Sequence, residues 1–301
     1  MADALLLLPD FLLIALGFVI CRTTKLNRPV WESAERLVYW LLFPVLLFTS
    51  IVKSPLQPTQ TLGLAAAGVA TVGVGIAIAL SLARWPGVDG LRHASGAQTA
   101  FRFNSYIGLA LADRLAGAEG VAAIALLIAL CVPLCNTAAV WPLARHGGQN
   151  YLAELARNPL ILATVAGLVC NLAGLRLPET AATVMQRLGA AALPLGLMSV
   201  GAGLQLAGLK GSWPLAGAFL TVRHALLPAF AIGAVLLLGL PPVQSLVVVA
   251  FAALPTASSA YVLAARMGGD GPFVAGLVTL STLLGMVSVP LALAVYSVVA
   301  R

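Results

Sequence analysis

Charged residues are scarce in this chain of 301 residues, of which only 9% are charged and 60% are hydrophobic. A soluble domain carries about 25% charged residues, so this composition excludes a folded core with an ordinary water-exposed surface. The mean hydropathy of +1.00 indicates instead that lipid is the main solvent. The net charge of +7 does not indicate nucleic-acid binding, because the basic residues lie in short connections between apolar runs.

Acidic residues number only ten, and none falls in the middle of a predicted span. A proton–cation antiporter needs carboxylates at its site and a sodium site usually has one, although carbonyl oxygens alone can bind sodium. Of the four cysteines, Cys131 and Cys135 lie one helical turn apart, which fits either a metal pair or two small buried side chains. No histidine accompanies them, so we predict neither a metal site nor a cofactor.

Apolar runs long enough to span a bilayer recur along the chain, since a spanning helix needs about 20 apolar residues. The ten predicted spans are 4–21, 31–52, 62–83, 95–115, 119–143, 157–174, 183–206, 213–238, 241–265 and 271–299. The first is not a signal peptide, because nothing basic precedes it and the cluster Arg22, Lys25 and Arg28 follows it. Lys and Arg concentrate after the odd-numbered spans, which makes those connections cytoplasmic and both termini external.

The two halves of the chain repeat one another at an offset of about 150 residues, as the pairs Pro9/Pro159, Gly17/Gly167 and Pro44/Pro194 show. Each half holds five spans, so the second half enters the membrane from the opposite side. The predicted organisation is a first five-helix repeat at 1–143, a cytoplasmic linker at 144–156 and an inverted second repeat at 157–301. Many secondary transporters are built in this way.

Two segments at matching places combine polar residues with helix breakers. They are Arg102-Phe-Asn-Ser-Tyr-Ile-Gly108 in predicted helix 4 and Leu254-Pro-Thr-Ala-Ser-Ser-Ala260 in predicted helix 9. Pro255 removes a backbone donor, and Asn104 and Ser105 can bond an unwound main chain. Because inverted-repeat transporters bind substrate on broken helices near the midplane, we predict a break in each, although two mildly kinked packing helices would also fit.

Helix breaks expose N-terminal N–H groups with partial positive charge, which suits an anionic substrate group. The predicted substrate-binding residues are Asn104, Ser105, Arg102, Tyr106, Pro255, Thr256, Ser258, Ser259, Asn136 and Arg223. Arg102 either faces the site or extends to the cytoplasmic surface, and Asn136 either lines the site or bridges two helices.

Arg223 and His224 form an ionisable pair near the middle of predicted helix 8, followed by Pro228. Arg223 could attract an anion or bond the carbonyls of a neighbouring helix. His224 is a candidate proton carrier, because histidine changes charge near neutral pH.

With these residues considered, the chain resembles the auxin efflux carrier (AEC) family over about residues 5–299. The segments that carry the resemblance are Phe11–Gly17, Leu41–Phe48, Arg102–Gly108, Leu254–Ser259 and Thr279–Thr282. The short central connection resembles bacterial members, often called malate or malonate permeases. Many members have a proline shortly after the helix 4 glycine, whereas this chain has Ala110, so the first break must rest on Asn104, Ser105 and Gly108 and could be shallower.

The resemblance implies an all-α integral membrane fold of ten transmembrane helices, related to sodium–proton antiporters and bile-acid carriers. Helices 4 and 9 would break and cross at Asn104 and Pro255, and Asn104 matches a family asparagine that meets the substrate carboxylate. Helices 3–5 and 8–10 would form a moving transport bundle. Helices 1, 2, 6 and 7 would form a scaffold, through which a homodimer is expected.

We therefore expect a secondary active or facilitative transporter of the bacterial inner (plasma) membrane, with both termini periplasmic. It would move a small carboxylate by an elevator mechanism, and it would have no nucleic-acid partner. A cation/proton antiporter on the same fold and a membrane-embedded substrate sensor are the alternatives. An enzyme is not expected, since no residue supplies a partner for His224.

Overall fold

A computed structural model describes residues 2–53, 58–144, 159–175, 177–204, 209, 212–257 and 259–300. These residues form helices and connections without a strand, which confirms the all-α prediction for the described chain. The α-helices are α1 (Ala2–Thr23), α2 (Arg28–Leu37), α3 (Phe43–Lys53), α4 (Pro58–Ser81), α5 (Gly90–Gly96), α6 (Ser105–Ala144), α7 (Pro159–Leu172), α8 (Glu179–Ala202), α9 (Trp213–Thr221), α10 (Leu227–Leu238), α11 (Pro242–Ala253), α12 (Ser259–Arg266) and α13 (Gly271–Val299). All but the first residue of the predicted linker at 144–156 lies outside the described residues.

Four helical stretches among the described residues are long and apolar enough to cross a membrane. They are Leu62–Arg84, Gly90–Leu143, Trp213–Leu238 and Gly271–Val299. Phe11–Thr23 and Pro242–Ala253 are shorter apolar helices. A multi-pass membrane architecture follows from these stretches, since each of the four exceeds the length of a bilayer core.

The stretch from Gly90 to Leu143 is not one straight helix. Residues 101–104 are unwound, and α6 is interrupted again where Ala116 and Gly117 leave helical geometry. Gly117 has φ +54°, a left-handed conformation that favours glycine. The interruption lies between the predicted spans 95–115 and 119–143, so the chain turns there without a long loop.

Two π-helical turns, Val38–Leu42 and Val222–Leu226, each lie just before a proline. Prolines 44 and 228 lack an N–H, and in an α-helix each ring would clash with the carbonyl four residues earlier. In the wider turns, the N–H of Phe43 bonds to Val38 and that of Leu227 to Val222, each five residues back. The prolines are thereby accommodated without ending either helix.

The helices form two compact units. Within the described residues, unit 1 comprises 1–61, 106–129 and 152–203, and unit 2 comprises 62–105, 130–151 and 204–301. These units describe packing, whereas the predicted scaffold and transport helices differ in movement, and that division stays a prediction.

Glycines allow close packing of α1 against α8 in unit 1. A Cβ added at Gly17 would overlap the Met198 carbonyl oxygen, and one at Gly201 would overlap the Ile14 carbonyl oxygen. Small residues permit this approach of two backbones in membrane helices.

The packing of α3 against α7, also in unit 1, repeats this arrangement. A Cβ added at Gly167 would lie 3.2 Å from the Phe48 carbonyl oxygen and 3.2 Å from the Ile51 Cβ. Gly167 follows Gly17 by 150 positions, while Phe48 and Ile51 precede the residues of the α1–α8 contact, 198 and 201, by 150 positions. The two contacts are therefore related by the offset of the sequence repeat.

A polar cluster connects several helices of unit 2. Arg92 Nε lies 3.2 Å from Asp270 Oδ2, and its guanidinium also donates to the Ser212 hydroxyl. The Asp270 N–H donates to Ser95 Oγ at 2.8 Å, and its carboxylate caps α13 by accepting from the Phe273 N–H. These bonds link α5 to the beginnings of α9 and α13.

Candidate functional site

The first helix break in unit 2 follows a 3-10 turn at Ala97–Ala100. Phe101 ends that turn with φ −125° and ψ −22°, residues 102–104 have no regular secondary structure, and α6 begins at Ser105. Asn104 directly precedes α6, a position where asparagine is favoured because its side chain can bond the first N–H groups. No proline is needed for this break, which spans four residues.

The second break separates α11 from α12 and is caused by Pro255. A residue before proline is driven out of the α region, and Leu254 accordingly adopts φ −56° and ψ 143°. Residues 254–257 are non-helical, and α12 begins at Ser259. Both segments predicted to break are therefore interrupted, and the helices that follow begin at Ser105 and Ser259.

Hydrogen bonds join the two breaks. The Asn104 N–H donates to the Pro255 carbonyl oxygen at 2.9 Å. Arg102 donates through Nη1 to Gln98 Oε1 at 2.8 Å and through Nη2 to Ser259 Oγ at 3.1 Å. A guanidinium thus lies across the two breaks, next to the first residue of α12.

Arg223 is buried in unit 2 and donates only to main-chain carbonyls in the bonds described. Its Nε donates to Leu254 O at 2.6 Å, and its Nη2 donates to Phe251 O at 3.1 Å and Ala252 O at 2.8 Å. A longer contact of 3.5 Å joins Nη1 to Phe101 O at the first break. Arg223 therefore caps the carbonyl end of α11 and approaches the end of the 3-10 turn, an arrangement that fits the second of its two predicted roles.

The orphaned groups of the second break can be followed individually. Pro255 has no N–H to bond the Phe251 carbonyl, and that oxygen instead accepts from Arg223 Nη2 at 3.1 Å and from the Leu254 N–H at 3.3 Å. The Thr256 N–H, which a continuous helix would direct at Ala252, donates to Ser281 Oγ at 2.9 Å. Unwinding therefore leaves these backbone groups paired, as buried polar groups require.

His224 follows Arg223 in the π turn and bonds to two serines of α13. Its Nδ1 lies 2.7 Å from Ser288 Oγ and its Nε2 lies 2.8 Å from Ser281 Oγ. Sequence patterns missed both serines, although they lie seven residues apart and hence on one face of a helix.

Thr256 carries the most informative unsatisfied group at the breaks. Its residue surface is fully buried, and its Oγ1 has no hydrogen-bond partner among the described residues. A buried hydroxyl without a partner costs about 1–3 kcal/mol, so the position is favourable for a polar ligand.

The other predicted site residues lie apart from these bonds or beside them. Ser105 is half-buried at the start of α6, and Asn136 is half-buried on α6 outside the bonds described above. Tyr106 belongs to unit 1, where its ring packs on Phe43 with centroids 4.6 Å apart. Ser258 lies outside the described residues.

Two further residues of unit 2 contact the first break. Gln98 is buried and accepts from Arg102, while Cys135 Sγ lies 3.5 Å from Phe101 O. Cys135 was predicted as a small buried side chain or half of a metal pair. Within the part of the chain that is described, no three His, Cys, Asp or Glu side chains are grouped to hold a metal ion.

Comparisons with known proteins agree with this architecture. The sequence profile of a family described as "Membrane transport protein" matches residues 142–293, half of the chain. The chain is also 27% identical over 284 residues to a protein of Methanothermobacter thermautotrophicus named "Uncharacterized transporter", a match that covers 93% of each chain.

Proposed function

Because the chain belongs to the membrane transport protein family, the auxin efflux carrier family, we propose that it carries a small organic anion with a carboxylate group. The observation that carries the proposal is the pair of helix breaks in unit 2, joined through Asn104 and Pro255. Broken helices near the bilayer midplane are where inverted-repeat transporters bind their substrates.

Charge favours an anion at this place. The helices after the breaks, α6 and α12, begin at Ser105 and Ser259, and their N-terminal N–H groups carry partial positive charge. Arg102 adds a full positive charge beside Ser259. The described carboxylates of unit 2 are Asp89 and Asp270, and both cap helix starts at the end of the unit. A carboxylate cargo would therefore meet donors without a competing acid.

We assign roles accordingly. Asn104 and Ser105 at the first break, and Thr256 with Ser258 and Ser259 at the second, supply amide and hydroxyl groups, while Arg102 supplies charge. Arg223 holds the shape of the site through the carbonyls of α11 rather than touching the anion. The Thr256 hydroxyl, unpartnered among the described residues, would be satisfied by the cargo.

The carrier would work by elevator-type alternating access, as a secondary active or facilitative transporter. In this proposal ten spans are arranged as two inverted repeats, the predicted transport helices move with the anion, and the scaffold helices form a homodimer. A location in a bacterial inner membrane would place both termini in the periplasm. A reporter that is active only in the periplasm, fused to either terminus, tests that orientation: silence at both ends would contradict it.

The first experiment is thermal unfolding of the detergent-purified protein with malonate, malate and indole-3-acetate. A ligand that binds only the folded state stabilises it by about 2.7 kcal/mol at a hundred times its dissociation constant. The best acid of the panel is then tested for uptake into proteoliposomes. We expect Asn104→Ala and Thr256→Val to lose both the stabilisation and the uptake.

Thr282→Val is the matched control. Thr282 is also buried in unit 2, but its hydroxyl donates to the Val278 carbonyl at 2.9 Å, so its loss should lower stability slightly and leave anion binding intact. Normal transport of every acid by Asn104→Ala would refute the proposed site. Stabilisation by sodium or by pH alone would favour a cation antiporter, and binding without flux would indicate a sensor.

A further inference from the structure

His224 is a half-buried ionisable side chain outside the anion site, and a single hydroxyl group connects it to that site. His224 Nε2 contacts Ser281 Oγ at 2.8 Å, and the same oxygen accepts the Thr256 N–H of the second break at 2.9 Å. On the other side of the ring, Nδ1 contacts Ser288 Oγ at 2.7 Å. Both imidazole nitrogens therefore take part in a series of hydrogen bonds that ends at the Thr256 N–H in the second break.

This series of hydrogen bonds can satisfy a neutral His224. A neutral imidazole has one N–H, and a serine hydroxyl has one hydrogen and two acceptor sites. With the proton on Nδ1, the ring donates to Ser288 and its Nε2 accepts the Ser281 hydroxyl hydrogen. Ser281 still accepts the Thr256 N–H.

The same heavy atoms also satisfy a protonated His224. The charged ring donates from both nitrogens, and Ser281 Oγ then accepts from His224 and from Thr256. The Ser281 hydroxyl hydrogen turns to a carbonyl one turn earlier on α13, a bond that Thr279 and Thr282 make on the same helix. Within these hydrogen bonds, protonation of His224 therefore requires only that the Ser281 hydroxyl group rotate.

Among the described elements that pack against the π turn, no side chain provides a negative charge to balance such a proton. The π turn packs against α9, α10, α11, α13 and the 3-10 turn at 97–100. These elements contain no Asp, Glu, Lys, Arg or His, and Tyr296 of α13 is their only ionisable side chain. The nearest charge along the chain is Arg223, which is positive and lies in the same turn. A protonated His224 would make the region more positive unless an anion were bound at the breaks.

We propose that His224 is the binding site of a proton that the carrier moves together with its anion. This inference rests on the proposed function and names its coupling ion. The anion reduces the electrostatic cost of protonating His224, and by linkage the proton raises the affinity for the anion by the same factor. His224 takes the proton from water on one side and releases it on the other side after the anion has left.

The test measures protons taken up per anion bound. The acid of the malonate, malate and indole-3-acetate panel that best stabilises the protein is titrated calorimetrically in two buffers of different ionisation enthalpy. For the wild-type protein we expect net proton uptake on binding, and an inward anion gradient should acidify the lumen of proteoliposomes that contain a pH-sensitive dye. His224→Gln keeps a side chain that can bond both serines but cannot be protonated near neutral pH, so we expect both proton signals to be lost.

Two further variants make the result specific. His93→Gln alters a second histidine of unit 2, which bonds to the Ala79 carbonyl, and this variant should keep the wild-type proton uptake. Ser281→Ala removes the hydroxyl group that connects His224 to Thr256, so the number of protons taken up per anion should fall. This variant provides a second test should His224→Gln not fold.

The outcomes separate this inference from the proposed function. Anion binding and transport by the wild-type protein without proton uptake would overturn the inference while the proposed function stands. Unchanged proton uptake in either His224→Gln or Ser281→Ala would also overturn it. Failure of the wild-type protein to bind or move any acid of the panel would instead count against the proposed function.

Discussion

Replacing Arg223 by methionine, which has an apolar side chain of similar length, should destabilise the protein even when no substrate is present. The change removes three bonds of 2.6–3.1 Å to Leu254, Phe251 and Ala252 and leaves those buried carbonyls without that donor. Hydrogen bonds within membrane proteins average about 0.6 kcal/mol, so three give a lower value of about 2 kcal/mol. Leaving a buried acceptor without its donor costs about 1–3 kcal/mol, which raises the upper value to about 5 kcal/mol. We therefore expect a loss of about 2–5 kcal/mol.

The assay is equilibrium unfolding in mixed detergent micelles, with and without a bound acid from the panel. Arg84→Met is the matched control, because Arg84 is an exposed arginine of unit 2 and its loss should change stability by less than about 0.5 kcal/mol. Arg223→Lys should recover only part of the loss, since an ammonium lacks the planar fork that reaches several carbonyls. Wild-type stability of ligand-free Arg223→Met would refute the helix-capping role and return Arg223 to the anion site.

Two other substitutions test the packing and the second break. Gly17→Ala should cost at least about 1–3 kcal/mol in detergent unfolding, because its Cβ would overlap the Met198 carbonyl. Gly73→Ala is its control, since no atom lies within 4 Å of the added Cβ, and equal stability of the two variants would contradict the packing argument. Pro255→Ala restores an N–H and releases Leu254 from its extended conformation, so uptake into proteoliposomes should fall while the unfolding free energy is kept or raised. Undiminished uptake would show that the proline is not needed for the break.

The sequence predicted where the two helices break, but it did not predict the long-range contacts between the breaks. Pro255 dictates the conformation of the residue before it, so the second break could be placed closely. The depth of the first break could not be told from the sequence, because Ala110 stands in place of a proline, and the structure unwinds residues 101–104. Its unwound residues are held by contacts with the second break, which act across more than 150 residues. No local propensity contains that information.

The ionisable pair Arg223 and His224 shows the same difference between local signals and long-range contacts. Its position in an apolar run marked Arg223 and His224 as unusual, because a charge inside a membrane span needs a partner. The partners themselves lie 28–31 residues away for the carbonyls of α11, and 57 and 64 residues away for the serines of α13. Sequence alone therefore left two roles for Arg223, and its bonds to these distant carbonyls favour the structural one.

The bond between the Asn104 N–H and the Pro255 carbonyl is made entirely by main-chain atoms. Almost any side chain can be exchanged at position 104 without deleting the donor, and a change at 255 does not delete the acceptor. Cargo preference could therefore be altered by substitution at the breaks, in evolution or by design, while the frame that positions the cargo persists. Redesign of the carrier for a different acid should begin with the side chains at 104, 105 and 256 and leave the frame unchanged.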